Sequence, residues 1–215
     1  MTIPSTCYSD IVNDLERVRA DSGFDKMTSL PDRVAFLTQL ETLASERPGD
    51  FGVLIADLDR LKVINDAGGH AAGNFMIISA GNIISSSIRV ESEGTGVDPE
   101  RRAKISGPDA VAARIHGDEF GIILPGVNSP DILEVIRQRV EQDLERGGID
   151  ASIDGRVHMQ GEAVDTLVHE ADLLMLKRKN ERKKAVFEAL PKHKRVAARL
   201  GLLMLHYAGM NPPRQ

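Results

Sequence analysis

Two short apolar segments with almost nothing between them constrain this chain most. Residues 109–115 read Asp-Ala-Val-Ala-Ala-Arg-Ile, and residues 120–125 read Phe-Gly-Ile-Ile-Leu-Pro. Both are rich in β-branched and small apolar residues, as buried strands are. Only His116, Gly117, Asp118 and Glu119 separate them, which leaves room for a tight hairpin turn and nothing larger. The turn therefore holds two adjacent carboxylates between two buried strands. They repel each other in a partly desolvated setting, and a divalent cation is the economical counter-charge.

The rest of the chain must cover such a hairpin. Its 215 residues suffice for one domain with a full core and small extensions, and 41% hydrophobic with 27% charged residues is a globular composition. There is no Trp and aromatics are few, so the core must be mainly Ile, Leu, Val, Ala and Met. A net charge of −5 gives no global reason to expect a nucleic-acid or membrane partner. Cys7 is the single cysteine, so no internal disulfide forms, which suits a reducing cytoplasm. The first residues lack the basic and apolar regions of a signal peptide, and the longest apolar run, 200–205, is far too short to span a bilayer.

Taken in order, Tyr8, Ile11, Val12, Leu15 and Val18 recur at helical spacing and predict a short amphipathic N-terminal helix within an extension over 1–24. It either folds back on its own domain or pairs with a partner chain. Asp25 and Thr28 suit a turn, Ser29 could cap a helix with Pro31 in its first turn, and Val34, Phe36, Leu37, Leu40 and Leu43 give that helix an apolar stripe. Phe51-Gly-Val-Leu-Ile-Ala56 predicts a strand buried on both faces, ending in Asp57-Leu58-Asp59. A helical turn, a Gly-rich loop through Gly68, Gly69 and Gly73, and a helix over 74–89 follow. The Gly- and Pro-containing charged stretch at about 90–109 reads as a mobile surface insertion. After the hairpin come a helix over 130–146, an alternating strand over 149–157, and a helix over 163–184 with a basic end. A last helix after Pro191 is apolar nearly all round and must be covered by something. This order predicts a single α/β (α+β) sandwich, a mixed sheet covered by helices.

If the strand at 51–56 lies beside the hairpin, Asp57 and Asp118 meet at one end of the sheet with Glu119 close by. Asp59 follows where the chain is already leaving the strand, so its side chain need not share that face. Carboxylates from two strand ends can hold Mg²⁺ while leaving coordination positions open for phosphate oxygens. Two such ions would clamp the attacking and leaving oxygens of a nucleotidyl transfer. His70 reads as a structural residue of the Gly-rich loop.

The segment Arg114-Ile115-His116-Gly117-Asp118-Glu119-Phe120 resembles the signature turn of the GGDEF family of diguanylate cyclases, with His in place of the first Gly. The segment 57–66, followed by Gly69-His70 and Gly73, resembles that family's nucleotide-binding stretch. Residues 25–33 resemble its entry motif, and Ala171-Asp172 with Lys179 its final helix. The likeness covers roughly 25–185 of the chain. It implies a palm-like, ferredoxin-like βααββαβ catalytic domain over about 25–187, as in nucleotide cyclases, followed by a helical extension over 188–215.

The resemblance also implies roles. Asp57, Asp118 and the carbonyl of Leu58 would bind Mg²⁺ or Mn²⁺, two ions per half-site, and Glu119 would deprotonate or position a ribose 3′-hydroxyl. Asn65 would bond the guanine edge, an amide being both donor and acceptor. Lys62 and Lys179 would meet the triphosphate as point charges, and Lys183 stands where the family usually has an Arg. Arg114 and Asp25 would pair structurally. Two GTP molecules, one on each subunit of a homodimer, would then be joined into cyclic di-GMP, the terminal helices bringing the subunits together and a regulatory protein being a possible partner.

Several positions depart from the family pattern. His116 replaces a glycine that lets the backbone take positive φ and approach the nucleotide. Asn74 replaces an Asp that accepts from guanine, so a cyclase using ATP as well as GTP is an alternative. A nucleotide-binding or protein-interaction regulator without catalysis is another. Arg182 and Leu176 replace a usual Gly and Tyr. The family's R-x-x-D product-inhibition site falls either on 107–110 (Gly-Pro-Asp-Ala) or on 89–92 (Arg-Val-Glu-Ser), and neither is complete. The expectation is a cyclase without tight feedback inhibition.

Overall fold

A computed structural model describes residues 23–89 and 110–189. The expected helices at 8–18 and after Pro191, and the insertion at 90–109, lie outside the described residues. The described elements are α1 (Arg33–Glu46), β1 (Phe51–Leu58), α2 (Leu61–Ile88), β2 (Val111–His116), β3 (Glu119–Pro125), α3 (Pro130–Arg146), β4 (Ala151–Val157) and α4 (Val164–Ala189). By internal contacts the chain divides into two compact units, Met1–Leu176 and Lys177–Gln215, so α4 belongs to both.

The strands form one sheet in the order β2-β3-β1-β4, and all three pairings are antiparallel. The sheet is therefore antiparallel among the described strands rather than mixed. The cause is topological. β1 and β2 run the same way but β3 lies between them, and β3 and β4 run the same way with β1 between them. Each helical crossover skips one position, so neighbours always run in opposite directions, as in two interleaved split βαβ units.

β1 is buried along its whole length, and its alternation assigns the two layers. Leu54, Ala56 and Leu58 join one apolar cluster with Met76, Ile77, Ala80 and Ile84 of α2 and Leu133, Ile136 and Val140 of α3. Phe51, Val53 and Ile55 join the other, with Phe36 and Leu40 of α1 and Leu167, Ala171 and Met175 of α4. By the same alternation Asp57 falls on the α1/α4 face. α1 sits close to the hairpin because Gly121 has no side chain: a Cβ there would lie 2.5 Å from Cε2 of Phe36.

Local chemistry differs from expectation at several points. Asp32, not Ser29, caps α1, its Oδ1 accepting from the N–H of Ala35 at 2.9 Å. Ser29 instead has φ 59, and Pro31 bridges to Phe24 ahead of the helix. The Gly-rich loop reduces to one break in α2, at Gly69 (φ 74, ψ 173), with helix on both sides. His70 is exposed just after that break. α2 is long and apolar enough to cross a membrane by length and composition, yet nearly half of its most apolar stretch is buried in the fold, as in a core helix. α4 continues to Ala189 because no breaker precedes Pro191.

One buried polar residue gave no sequence signal. His158 is 2% exposed and stacks on Phe51 with ring centroids 4.4 Å apart. Its Nδ1 accepts from the N–H of Gly49 at 3.0 Å, and its Nε2 lies 3.1 Å from the carbonyl of Glu162. The acceptor role of Nδ1 leaves the ring proton on Nε2, which makes this a neutral imidazole tying the start of β1 to the end of β4.

Candidate active site

The hairpin closes on two central residues, Gly117 and Asp118, with His116 and Glu119 paired across it. Positive φ falls on Gly117 alone (φ 44), as in a II′ turn. His116, an exposed residue at the end of β2, is not among the residues with positive φ. Its replacement of a glycine therefore imposes no backbone strain, contrary to the expectation drawn from the family pattern. The glycine that the turn requires is the second one.

Arg114 secures this turn. Its Nε and Nη2 donate to the carbonyl of Gly117 at 2.9 and 2.8 Å, and its Nη1 lies 3.1 Å from both carboxylate oxygens of Asp25. Asp25 also accepts from the backbone N–H groups of Met27 and Thr28 and from the Thr28 hydroxyl. Burial alone would raise the Asp25 carboxyl, but the Thr28 hydrogen bonds and Arg114 together hold it below its ordinary value. The expected Arg114–Asp25 pair is present, and it fixes the entry loop and the turn to each other.

The acids converge as the hairpin geometry predicts. Asp57 and Glu119 are direct cross-strand partners, and the N–H of Leu58 donates to the carbonyl of Asp118 at 3.1 Å. Side chains so paired lie about 5 Å apart at Cβ, and like charges there are unfavourable. Glu119 registers the conflict. Its carboxyl is raised by partial burial first, then by Asp57, Asp172 and Asp118, with His116 opposing. Asp172 has a place in the Ala171-Asp172 motif, but nothing in the linear sequence assigns it a role. It follows Ala171, which packs against the β1/β3 face that carries Asp57 and Glu119. Asp59 belongs elsewhere. It accepts from the Ser152 hydroxyl at 3.0 Å, and its N–H donates to Asp150, so it faces β4.

Among the described residues, no three His, Cys, Asp or Glu side chains form a ready-made metal cage. Asp57, Asp118 and Glu119 are instead a set of hard oxygen donors brought together by the strand register and the turn. Mg²⁺ takes such a set, using one or two carboxylates and completing its shell with water and phosphate.

The nucleotide-facing residues expected on α2 start where β1 ends. Its N-cap, Arg60, makes no side-chain capping bond, and a helix start is where backbone N–H groups can meet an anion. Lys62 is exposed in that turn. The Asn65 side chain lies directly over Gly73, where a Cβ would sit 2.0 Å from Oδ1 of Asn65. Only glycine at 73 permits this approach, and the exposed Asn74 is the next residue of the helix. Lys179 and Lys183 lie on the part of α4 that belongs to the second compact unit. A cleft of about 360 Å³ between the start of α3 and the end of β4 lies at the other end of the sheet. The arginines lining it are already paired, Arg137 with Glu134 and Glu141, and Arg156 with Glu162 and Glu170.

Known proteins are similar to this chain in sequence and in fold. Residues 22–94 and 101–185 match the family model described as diguanylate cyclase, GGDEF domain. The diguanylate cyclase DgcP of Escherichia coli is 29% identical over 184 residues, covering 80% of this chain and 49% of that protein. The cyclic di-GMP phosphodiesterase PdeB of Shewanella oneidensis is 31% identical over 121 residues, covering 56% of this chain and 12% of that protein. This chain thus spans about half the length, or less, of these curated relatives. Among solved structures, the coiled coil and GGDEF domain of DgcB from Caulobacter crescentus, in complex with c-di-GMP, superposes with a TM-score of 0.61 at 22% identity. The match covers 82% of this chain and 91% of that one. Diguanylate cyclase SiaD from Pseudomonas aeruginosa, in complex with its activator SiaC, gives 0.60 at 24% identity, covering 82% and 66%. These two likenesses bear on the fold, whereas the family model spans most of the chain and includes every acid of the hairpin site: the protein belongs to the GGDEF family of diguanylate cyclases.

Proposed function

We propose that this chain is a diguanylate cyclase that condenses two GTP molecules into cyclic di-GMP. The observation that carries the proposal is the pairing of Asp57 with Glu119 beside Asp118, an acidic strand end from which the chain runs directly into the helix that carries Lys62 and Asn65. A divalent cation, Mg²⁺ or Mn²⁺, held by Asp57, Asp118 and the Leu58 carbonyl would neutralise the triphosphate, and two ions per half-site suit the surplus of acid. Asn65 and Asn74 bond the base edge. Lys62 neutralises phosphate, with Lys179 and Lys183 as further phosphate-binding bases. His116 and Gly117 border the nucleotide at the turn.

Glu119 takes the proton of a ribose 3′-hydroxyl. The freed oxygen forms a bond to the α-phosphorus of the opposed GTP, and the bond from that phosphorus to pyrophosphate breaks. The same step in the other direction closes the ring and releases the second pyrophosphate. A carboxyl raised by burial and by neighbouring acids is a better base for this than an ordinary one. One chain supplies one half-site, so the reaction needs a homodimer. GTP is a cytoplasmic nucleotide, which supports a cytoplasmic catalytic site. The incomplete R-x-x-D implies weak product inhibition.

Purified protein with Mg²⁺, GTP and ATP, its products identified by mass spectrometry, tests this. Cyclic di-GMP lost in Asp118→Ala is expected. Turnover that persists in that variant refutes the residue assignment, and a mixed purine product assigns the Asn74 substitution to relaxed base choice. Nucleotide binding without any product supports the regulator reading instead.

A further inference from the structure

Asp59 lies two residues beyond Asp57, yet the proposed reaction gives it no part. The chain passes from β1, which ends at Leu58, to α2, which starts at Leu61, in only two residues. Both are held from the start of β4. The N–H of Asp59 donates to the carbonyl of Asp150 at 2.8 Å, and its Oδ2 accepts from the Ser152 hydroxyl at 3.0 Å. Ser152 is fully buried and is the cross-strand partner of Asp57. Arg60 has φ 65 and ψ 16, left-handed values that a residue other than glycine keeps only where its surroundings impose them. Its Nη1 lies 3.4 Å from Oδ2 of Asp150, and its carbonyl accepts from the N–H of Ile64 at 3.1 Å. Asp150 thus holds two consecutive residues, one through its carbonyl and one through its carboxylate.

These contacts fix one peptide plane. The peptide between Leu58 and Asp59 is trans, so its carbonyl points opposite to its N–H. The N–H is committed to Asp150, on the β4 side of β1. The Leu58 carbonyl therefore faces the other side, toward the hairpin turn at Asp118. The N–H of Leu58 already donates to the Asp118 carbonyl at 3.1 Å on that side. Among the described residues, no return bond runs from the N–H of Asp118 to the Leu58 carbonyl, as it would in a complete antiparallel pair. We propose that Asp59 is a positioning residue: with Ser152 and Asp150 it sets this peptide so that the Leu58 carbonyl is presented, beside Asp57 and Asp118, to the cation of a metal–nucleotide complex. The proposal rests on the cyclase reading above. Asp59 is not itself a ligand in it, because its carboxylate is engaged by Ser152 and its N–H faces β4. Groups that orient a metal ligand commonly change metal affinity by about 10–100-fold when removed.

Calorimetry of the full chain with the α,β-methylene analogue of GTP, which cannot release pyrophosphate, tests this without turnover. The ratio of its affinity with Mn²⁺ to its affinity with EDTA reads the contribution of the metal. Asp59→Ala and Ser152→Ala are each expected to lower that ratio roughly tenfold, with the affinity in EDTA unchanged. The double variant should lose little more than either single one, since both remove the same hydrogen bond. Asp59→Asn keeps an oxygen for the Ser152 hydroxyl and should stay within roughly threefold of wild type. A ratio unchanged in Asp59→Ala and Ser152→Ala overturns the proposal, as does a wild-type ratio of one. Equal losses with Mn²⁺ and with EDTA also overturn it, leaving Asp59 a purely structural residue. An Asp59→Asn variant as weak as Asp59→Ala overturns it too, assigning the effect to the charge of Asp59 at the metal. The cyclase reading is judged separately by product formation from GTP: a metal contribution that depends on Asp59 in a chain that makes no product retains the positioning role and removes the activity.

Discussion

Replacing Arg114 by Met tests whether the turn is held as described. The substitution keeps the bulk of the stem and removes four hydrogen bonds, two to the carbonyl of Gly117 and two to Asp25. The Arg114 and Asp25 side chains are 13% and 23% exposed, so the pair lies between a surface and a buried ion pair. An exposed pair contributes at most about 1 kcal/mol and a fully buried one broken on one side costs about 3–5. The Gly117 contacts are charge-assisted and leave a carbonyl unpaired, adding about 1 kcal/mol. The expected loss is about 2–3 kcal/mol, or roughly 4–12 °C in Tm for a domain of this size. The effect has a pH signature. Asp25 is depressed in the folded protein, so the stability it contributes is fully present above its unfolded pKa, near 4, and is lost as pH falls through the lower folded value. The difference between wild type and Arg114→Met should therefore be full at pH 7 and shrink as pH falls below about 4, toward the part due to the Gly117 carbonyl. Urea unfolding followed by far-UV circular dichroism suits a protein without Trp. A difference under about 0.5 kcal/mol at pH 7, or one that does not shrink in acid, would falsify the account of this clamp.

Glu119→Gln should lower cyclisation by roughly 100-fold or more, the scale of a lost general base. The same variant should be no less stable than wild type in metal-free buffer at pH 7, because burial and neighbouring acids oppose the charged form of Glu119; a marked fall in Tm would contradict the like-charge description. Gly73→Ala places a Cβ on the Asn65 side chain, so nucleotide binding measured by calorimetry should weaken at least roughly tenfold with a secondary loss of stability. His158→Ala removes a stacked ring and unpairs two backbone groups, for an expected cost of about 2–4 kcal/mol, with the acidic cluster at the far end of the sheet unaffected. Unaltered urea midpoints in that variant would show that the loop between α1 and β1 is held by other contacts.

Much of this was legible in the linear chain because it depends on short-range periodicity. α3 begins at Pro130 and ends at Arg146 as the spacing predicts, since Pro at the start and Gly147 at the end are local signals. β1 reads as doubly buried from its uninterrupted apolar run and proves to be so. The hairpin, its tight turn and the candidacy of Asp57, Asp118 and Glu119 likewise follow from residue type and spacing.

Other features depend on what lies opposite a residue, and no local pattern reports that. The sheet is antiparallel because each crossover skips a strand, a choice made by packing of α2 and α3 on one face. Asp57 and Asp59 are two positions apart, yet Ser152 draws the second away while register sets the first against Glu119. His158 is structural only because Phe51, Gly49 and Glu162 surround it. His116 escapes strain because positive φ falls one residue later, on Gly117. The sequence alone determined which side chains could do chemistry, through spacing along the backbone. The tertiary structure decided which of them meet, through strand register and the few ångströms over which charge and hydrogen bonding act.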